Sequence, residues 1–177
     1  GVAHAALVFV NGACVGGHLG ASTPFSCEAG AALRPGRNRI LVMVENRRRP
    51  DRVPMDHFDW FNYGGIHRDV SLVRVPEVFL RRAIVALAPN DPAIEIRIQL
   101  SDAVDGAARL SIAELGIDVD VAIVAGEARA LVAATPELWS PETPRLYDIE
   151  VAFGADRLRE RIGFRRIAVD GTRILLN

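Results

Sequence analysis

Strict alternation of apolar and polar side chains over the second half of the chain leaves the least freedom to its fold. Ile94, Ile96, Ile98 and Leu100 alternate with Glu95, Arg97 and Gln99, and Ile117, Val119, Val121 and Ile123 alternate with Asp118 and Asp120. The pattern returns in Tyr147, Ile149, Val151 and Phe153 against Asp148 and Glu150, then in Leu158, Ile162 and Phe164 against Arg159 and Arg161. A period of two sends every second side chain to the same face, so these segments are half-buried antiparallel strands with one polar face. Turn signals at Pro89-Asn90-Asp91-Pro92, Asp105-Gly106 and Gly154-Ala155-Asp156 cut the region into about seven short strands. That is the pattern of an immunoglobulin-like sandwich, here without a cysteine pair to staple it.

The first part of the chain is organised by turns. Ala5 to Val10 is an apolar run closed by Asn11-Gly12, a strong two-residue hairpin signal, and Ala13 to Leu19 continues on the other side. Thr23-Pro24-Phe25 and Leu33-Arg34-Pro35-Gly36-Arg37-Asn38 turn the chain again before a second apolar strand, Ile40 to Val44. Ile66 to Val75 reads as the last strand of this domain, with Pro76 marking its exit. No segment reads as a long helix: Ser101 to Ala113 contains Asp105-Gly106, and Pro136 to Pro144 holds three prolines. The expectation is an all-β protein with one domain over residues 1–79 and a sandwich over residues 80–169. A final hairpin turns at Asp170-Gly171, within residues 170–177.

With 177 residues the chain has room for two such domains. Its 21 basic residues, all arginine, nearly balance 22 acidic ones for a net charge of -1. A field that weak recruits neither nucleic acid nor an anionic membrane, and neither is expected as a partner. Even Arg47-Arg48-Arg49-Pro50-Asp51-Arg52 belongs to a locally neutral, solvated loop, because acids from Glu45 to Asp59 match its arginines. Cys14 and Cys27 read as free, semi-buried thiols, and His4, His18, His57 and His67 are too scattered for a metal site. No metal or cofactor is expected. No apolar run reaches the length of a membrane span, and the amino terminus lacks the layout of a signal peptide. A soluble protein is expected, with a cytoplasmic location favoured over a secreted one.

One window differs from all this. Asp59-Trp60-Phe61-Asn62-Tyr63-Gly64-Gly65-Ile66-His67-Arg68-Asp69-Val70 gathers three aromatic residues, an asparagine, two glycines and several charges. The glycines can take positive φ or admit another chain close to the backbone, and the aromatic residues need a core or a flat ligand to cover them. An irregular loop carrying polar and aromatic groups, pinned at its end to a sheet, is a common way to present binding residues.

Extended by Phe58 and by Ser71-Leu72, this window resembles the signature in the non-catalytic front end of the β-galactosidase/β-glucuronidase family, family two of the glycoside hydrolases. Leu138-Trp139-Ser140-Pro141-Glu142-Thr143-Pro144-Arg145-Leu146-Tyr147 is similar to that family's later signature. Ile162-Gly163-Phe164-Arg165 and Ile174-Leu175-Leu176-Asn177 resemble its approach to the catalytic barrel. The resemblance covers essentially the whole chain and implies a truncated jelly-roll sugar-binding domain, then an immunoglobulin-like β-sandwich. Residues 170–177 would lead into a catalytic TIM barrel absent from this sequence.

It also implies roles. In such a parent, a retaining glycosidase hydrolysing a terminal β-linked sugar, Asp59 would be a substrate-binding residue reaching the sugar's hydroxyls. Trp60, Asn62, Tyr63 and His67 would shape the loop or contact the barrel, with Trp60 or Phe61 turned inward as its anchor. Trp139 would pack under the Pro-rich turn. Retaining hydrolysis needs two carboxyl groups about 5 to 5.5 Å apart, and nothing in the spacing of Glu142, Glu150 and Glu160 makes such a pair. No catalytic residue is therefore expected in this chain, which would be inactive alone. Its partner would be carbohydrate, engaged with the barrel present. Apolar edges such as Leu7 to Val10, short of their early jelly-roll partners, would favour homo-oligomers. The rival reading is a non-catalytic carbohydrate-binding or adhesion module of two β-sandwiches.

Overall fold

In the computed structural model, which describes every residue except Pro54, His57, Phe58, Trp60, Asn90 and Asp91, the chain forms two compact units, Gly1–Val73 and Arg74–Asn177. In the first, β1 (Val2–Ala3), β2 (Ala5–Val10), β3 (Ala13–Leu19), β4 (Ile40–Glu45) and β5 (Gly65–Ile66) make two antiparallel sheets, ordered β3-β2-β4 and β1-β5. The Asn11-Gly12 turn has both residues at positive φ, 51° and 90°, the geometry that matches the twist of a tight hairpin. Asn11 also ties this turn to the one before β4, donating from Nδ2 to Asn38 Oδ1 at 2.7 Å and accepting from the Arg39 amide at 3.0 Å. Asn38 in turn closes its own loop through the amide and carbonyl of Arg34.

Only one face of the β3-β2-β4 sheet is well covered. Ala6 and Val10 are buried there, and Cys27 lies so close over Gly16 that a Cβ would sit 2.6 Å from its Sγ. Burial, helped by the nearby Cys14, pushes the Cys27 thiol above its ordinary value. On the opposite face, Leu7 pairs with Met43 and Phe9 with Leu41 across β2 and β4, and Leu7, Leu41 and Met43 are about half exposed. Beyond β4, the arginine-rich loop folds onto an acid: Glu45 receives Arg49 at 3.1 Å and Arg52 at 3.7 Å.

The strand expected from Ile66 to Val75 is not formed. Only Gly65–Ile66 pairs, with Ala3 and Val2, and the His67 amide adds a bond to the Gly1 carbonyl. The ladder reaches no further than Gly1. Among the described residues no strand lies alongside Arg68 to Val75, so Val70, Leu72 and Val73 remain about three-quarters exposed. Apolar alternation proposes a strand, but its backbone needs a neighbour to pair with.

The second unit realises the alternation. Its strands are β6 (Leu80–Leu87), β7 (Ala93–Leu100), β8 (Gly106–Ile112), β9 (Ile117–Ile123), β10 (Glu127–Ala133), β11 (Tyr147–Phe153) and β12 (Asp156–Ile162). They form two antiparallel sheets, β10-β7-β6 and β12-β11-β8-β9, so the chain changes sheet between β9 and β10. The tight turn there places Ala125 and Gly126 at positive φ, and a Cβ on Gly126 would meet the Asp102 carbonyl at 2.4 Å. The core takes Ile94, Ile96 and Ile98 from one sheet and Leu110, Ile112, Val121, Ile149 and Val151 from the other. A last hairpin, β13 (Ile167–Asp170) with β14 (Arg173–Leu176), turns through Gly171 and is tied at its root by Asn177 and Arg166.

Glu95 departs from the simple pattern. It belongs to the polar face of β7, yet only 6% of it is exposed, because Arg129 covers it from β10 with a direct Nε contact and Arg97 stands 3.8 Å away. Arg129 and Arg97 oppose each other directly across the strands, where like charges repel. One carboxylate between them relieves that repulsion.

Candidate sugar-contact loop

Three separate segments meet around Asn62. His4, between β1 and β2, is 4% exposed, and its Nε2 lies 3.3 Å from Asn62 Oδ1. Its backbone is fixed as well, since its amide donates to the Glu45 carbonyl and its carbonyl accepts from Gly20. Asn46, just after β4, receives the Asn62 Nδ2 on its carbonyl at 2.5 Å and returns a longer 3.4 Å bond from its own Nδ2 to the Asn62 carbonyl. Both glycines of the loop are then explained. A Cβ on Gly64 would fall 2.3 to 2.5 Å from Asn46 side-chain atoms, and Gly65 has φ of 96°. One glycine permits close approach and the other a left-handed turn.

With Asn62 directed inward, its neighbours face out. Phe61 and Tyr63 are 79% and 78% exposed, with ring centroids 6.2 Å apart and tilted by 57°, and the Tyr63 amide bonds the Phe61 carbonyl. Phe61 is therefore not the inward anchor expected of it; hydrogen bonds of Asn62 hold this stretch instead. Trp60, the other expected anchor and loop-shaping residue, lies outside the described residues. Asp59 is exposed, and among the described residues no hydrogen bond or ion pair reaches its carboxylate, from Arg68 or any other. His67 pairs through its backbone with Gly1, over which its ring lies. His4 and Asn46 were not singled out from sequence, since nothing in their local context marks them.

The other glutamates and the second motif have structural surroundings. Glu150 accepts from Arg159 at 2.6 Å, and Glu142 and Glu160 are exposed. The Trp139 amide donates to the Phe164 carbonyl at 2.7 Å, and a Cβ on Gly163 would sit 2.7 Å from the Trp139 side chain. The Tyr147 hydroxyl accepts from the Glu137 amide, and its ring lies 5.4 Å from that of Phe164. The segments 138–147 and 162–165 thus interlock. Among the described residues no three His, Cys, Asp or Glu side chains are grouped to hold a metal ion, and no helix is long and apolar enough to cross a membrane.

Fold and loop together define an all-β chain, part of a jelly-roll sugar-binding domain followed by an immunoglobulin-like sandwich. Residues 1–76 match the sugar binding domain of the glycosyl hydrolases family 2, and residues 79–165 match the glycosyl hydrolases family 2 domain. The chain belongs to this family. It is 28% identical to a beta-glucuronidase of Paenibacillus borealis over 98% of this chain and 34% of that protein. A beta-galactosidase of Arthrobacter sp. (strain B7) is 31% identical over 96% of this chain and 16% of that protein. Among solved structures, a GH2 beta-galacturonidase from Eisenbergiella tayi bound to glycerol superposes with a TM-score of 0.71 at 31% identity, over 100% of this chain and 34% of that one. The chain thus spans about a third or less of the length of these relatives.

Proposed function

We propose that this chain serves within a longer retaining β-glycosidase of the β-galactosidase/β-glucuronidase type, bracing a catalytic barrel and supplying one substrate-contact loop. Asp59 is the residue assigned to the substrate. The observation that carries this reading is an exposed carboxylate, unpaired among the described residues, on a loop that Asn62 holds to the sheet. A carboxylate held there accepts hydrogen bonds from sugar hydroxyls, which is electrostatic and positional help. The two carboxyl groups that perform retaining hydrolysis belong to the barrel in this reading. Asn62 shapes the loop, while Tyr63, Phe61 and His67 offer surface to the barrel.

The test is Asp59→Ala in the longer enzyme. Loss of one charge-assisted hydrogen bond, worth about 1.5 to 3 kcal/mol, lowers kcat/KM by roughly 10- to 150-fold with little change in melting temperature. Unchanged kcat/KM with a much lower melting temperature makes Asp59 a structural residue. The chain alone should turn over no aryl β-galactoside or β-glucuronide; turnover abolished by changing one of its own glutamates refutes the division of labour.

A further inference from the structure

We infer that His4 and Asn46 are positioning residues: through Asn62 they hold the loop that presents Asp59, and this deepens the substrate-contact reading on which it rests. Asn62 is the only side chain between Asp59 and Gly64 that the structure shows hydrogen-bonded to other segments, among the described residues. Its two ends are used differently. The Nδ2 donates to the Asn46 carbonyl, which leaves Oδ1 as an acceptor for His4. His4 must therefore carry its proton on Nε2, and its Nδ1 is left buried without a partner. A buried imidazole with one satisfied nitrogen costs free energy compared with an apolar side chain of similar size. Packing alone gives no reason to place it there; holding Asn62 does.

The geometry transmits to Asp59 through the backbone. Fixing Asn62 inward directs Phe61 and Tyr63 outward, and the short turn from Phe61 to Tyr63 is closed by their backbone hydrogen bond. Asp59 stands three residues before Asn62 in the sequence, so fixing Asn62 bounds the space its carboxylate can reach. A carboxylate on a loose loop would spend binding energy on ordering it, which the clamp avoids. The pairing spans 58 residues of sequence between His4 and Asn62 and 16 between Asn46 and Asn62.

The experiment uses His4→Ala, His4→Gln and Asn62→Leu, with amide hydrogen exchange read at residues 61–65 and, as an internal reference, at β7. The clamp predicts exchange faster by about tenfold or more at residues 61–65 in His4→Ala and Asn62→Leu, with β7 unchanged. His4→Gln should recover most of the protection, because the glutamine amide can donate to Oδ1 from near the position of Nε2. Should His4→Ala fail to fold the first unit, Asn62→Leu at its half-buried position carries the test. Unchanged exchange at residues 61–65, or a glutamine variant no better than the alanine one, overturns the inference. In the longer enzyme, Asn62→Leu should lower kcat/KM about five- to tenfold, and less than Asp59→Ala does. A loosened loop together with an Asp59→Ala enzyme of full activity supports the clamp and removes the sugar-contact reading. A damaging Asp59→Ala with an unmoved loop does the reverse.

Discussion

Ile96 and Leu41 have side chains of the same size and both lie in paired strands, yet the first is wholly buried and the second is 52% exposed. The difference belongs to their units. In Arg74–Asn177, two sheets bury one another's apolar faces, and Leu110 pairs with both Val151 and Val119 inside a core closed on two sides. In Gly1–Val73 the β3-β2-β4 sheet has a comparable apolar content, but among the described residues no second layer of its unit covers the face carrying Leu7, Leu41 and Met43. Sequence hydrophobicity is similar in the two. What differs is the supply of a facing surface, and the hydrophobic effect rewards only area actually removed from water.

The comparison can be broken most directly in the cores. Phe164→Ala, at a side chain 2% exposed, should cost about 3 to 5 kcal/mol, whereas Leu41→Ala should cost less than about 1 kcal/mol. Denaturant unfolding of each variant, with a probe assigned to each unit, measures both. Equal costs would mean that the exposed face is covered in solution.

Two glycines sharpen it at a smaller scale. Gly163→Ala drives a methyl group into Trp139 within the interlocked core segments, with an expected cost of about 1 to 3 kcal/mol. Gly64→Ala meets Asn46 as far in as its Cβ, which no rotation moves, so the exposed loop must shift: residues 61–65 should exchange faster, at a smaller cost in global stability than Gly163→Ala because no closed core is disturbed. Thermal melts paired with hydrogen exchange separate the two outcomes.

The smallest effect is electrostatic and confined to the second unit. Arg109 donates to Asp118 at 2.6 and 2.5 Å, and this hydrogen bonding holds the Asp118 carboxyl below its ordinary value of 3.8. A lowered folded-state value stabilises the protein above the unfolded value, and that contribution is lost as pH falls from 3.8 through the folded one. Asp118→Asn should therefore lower the neutral plateau slightly and flatten the acid limb below about pH 4, so that the two proteins converge in acid. Both groups are solvent-exposed, so added salt should shrink the difference. A larger loss in acid than at neutral pH would contradict this.

Where local chemistry decides structure, the chain was legible. Asn11-Gly12 requires positive φ and has it, and the period of two from Ile94 to Leu100 places four side chains in one core. Gly64-Gly65 announced two alternatives, a left-handed turn or close approach, and the structure uses one glycine for each. Segments that need a distant partner were not legible. Apolar content proposed a strand from Ile66 to Val75, but pairing stops beside Gly1; of the two aromatic residues offered as the inward anchor, Trp60 or Phe61, Phe61 is exposed, and Asn62 is directed inward. Glu95 read as a residue of its strand's polar face; its burial depends on an arginine 34 positions away.

The amino-acid sequence by itself determined the all-β class, the positions of the tight turns and the motif that marks the family, since these depend on residue period and on backbone freedom at single positions. Only the tertiary structure decided which apolar faces are covered, which charges are shared and how the Asp59 loop is held. Each of those depends on groups far apart in the chain: Asn62 acquires its role when folding brings His4 and Asn46 within hydrogen-bond reach, and no local propensity encodes that meeting.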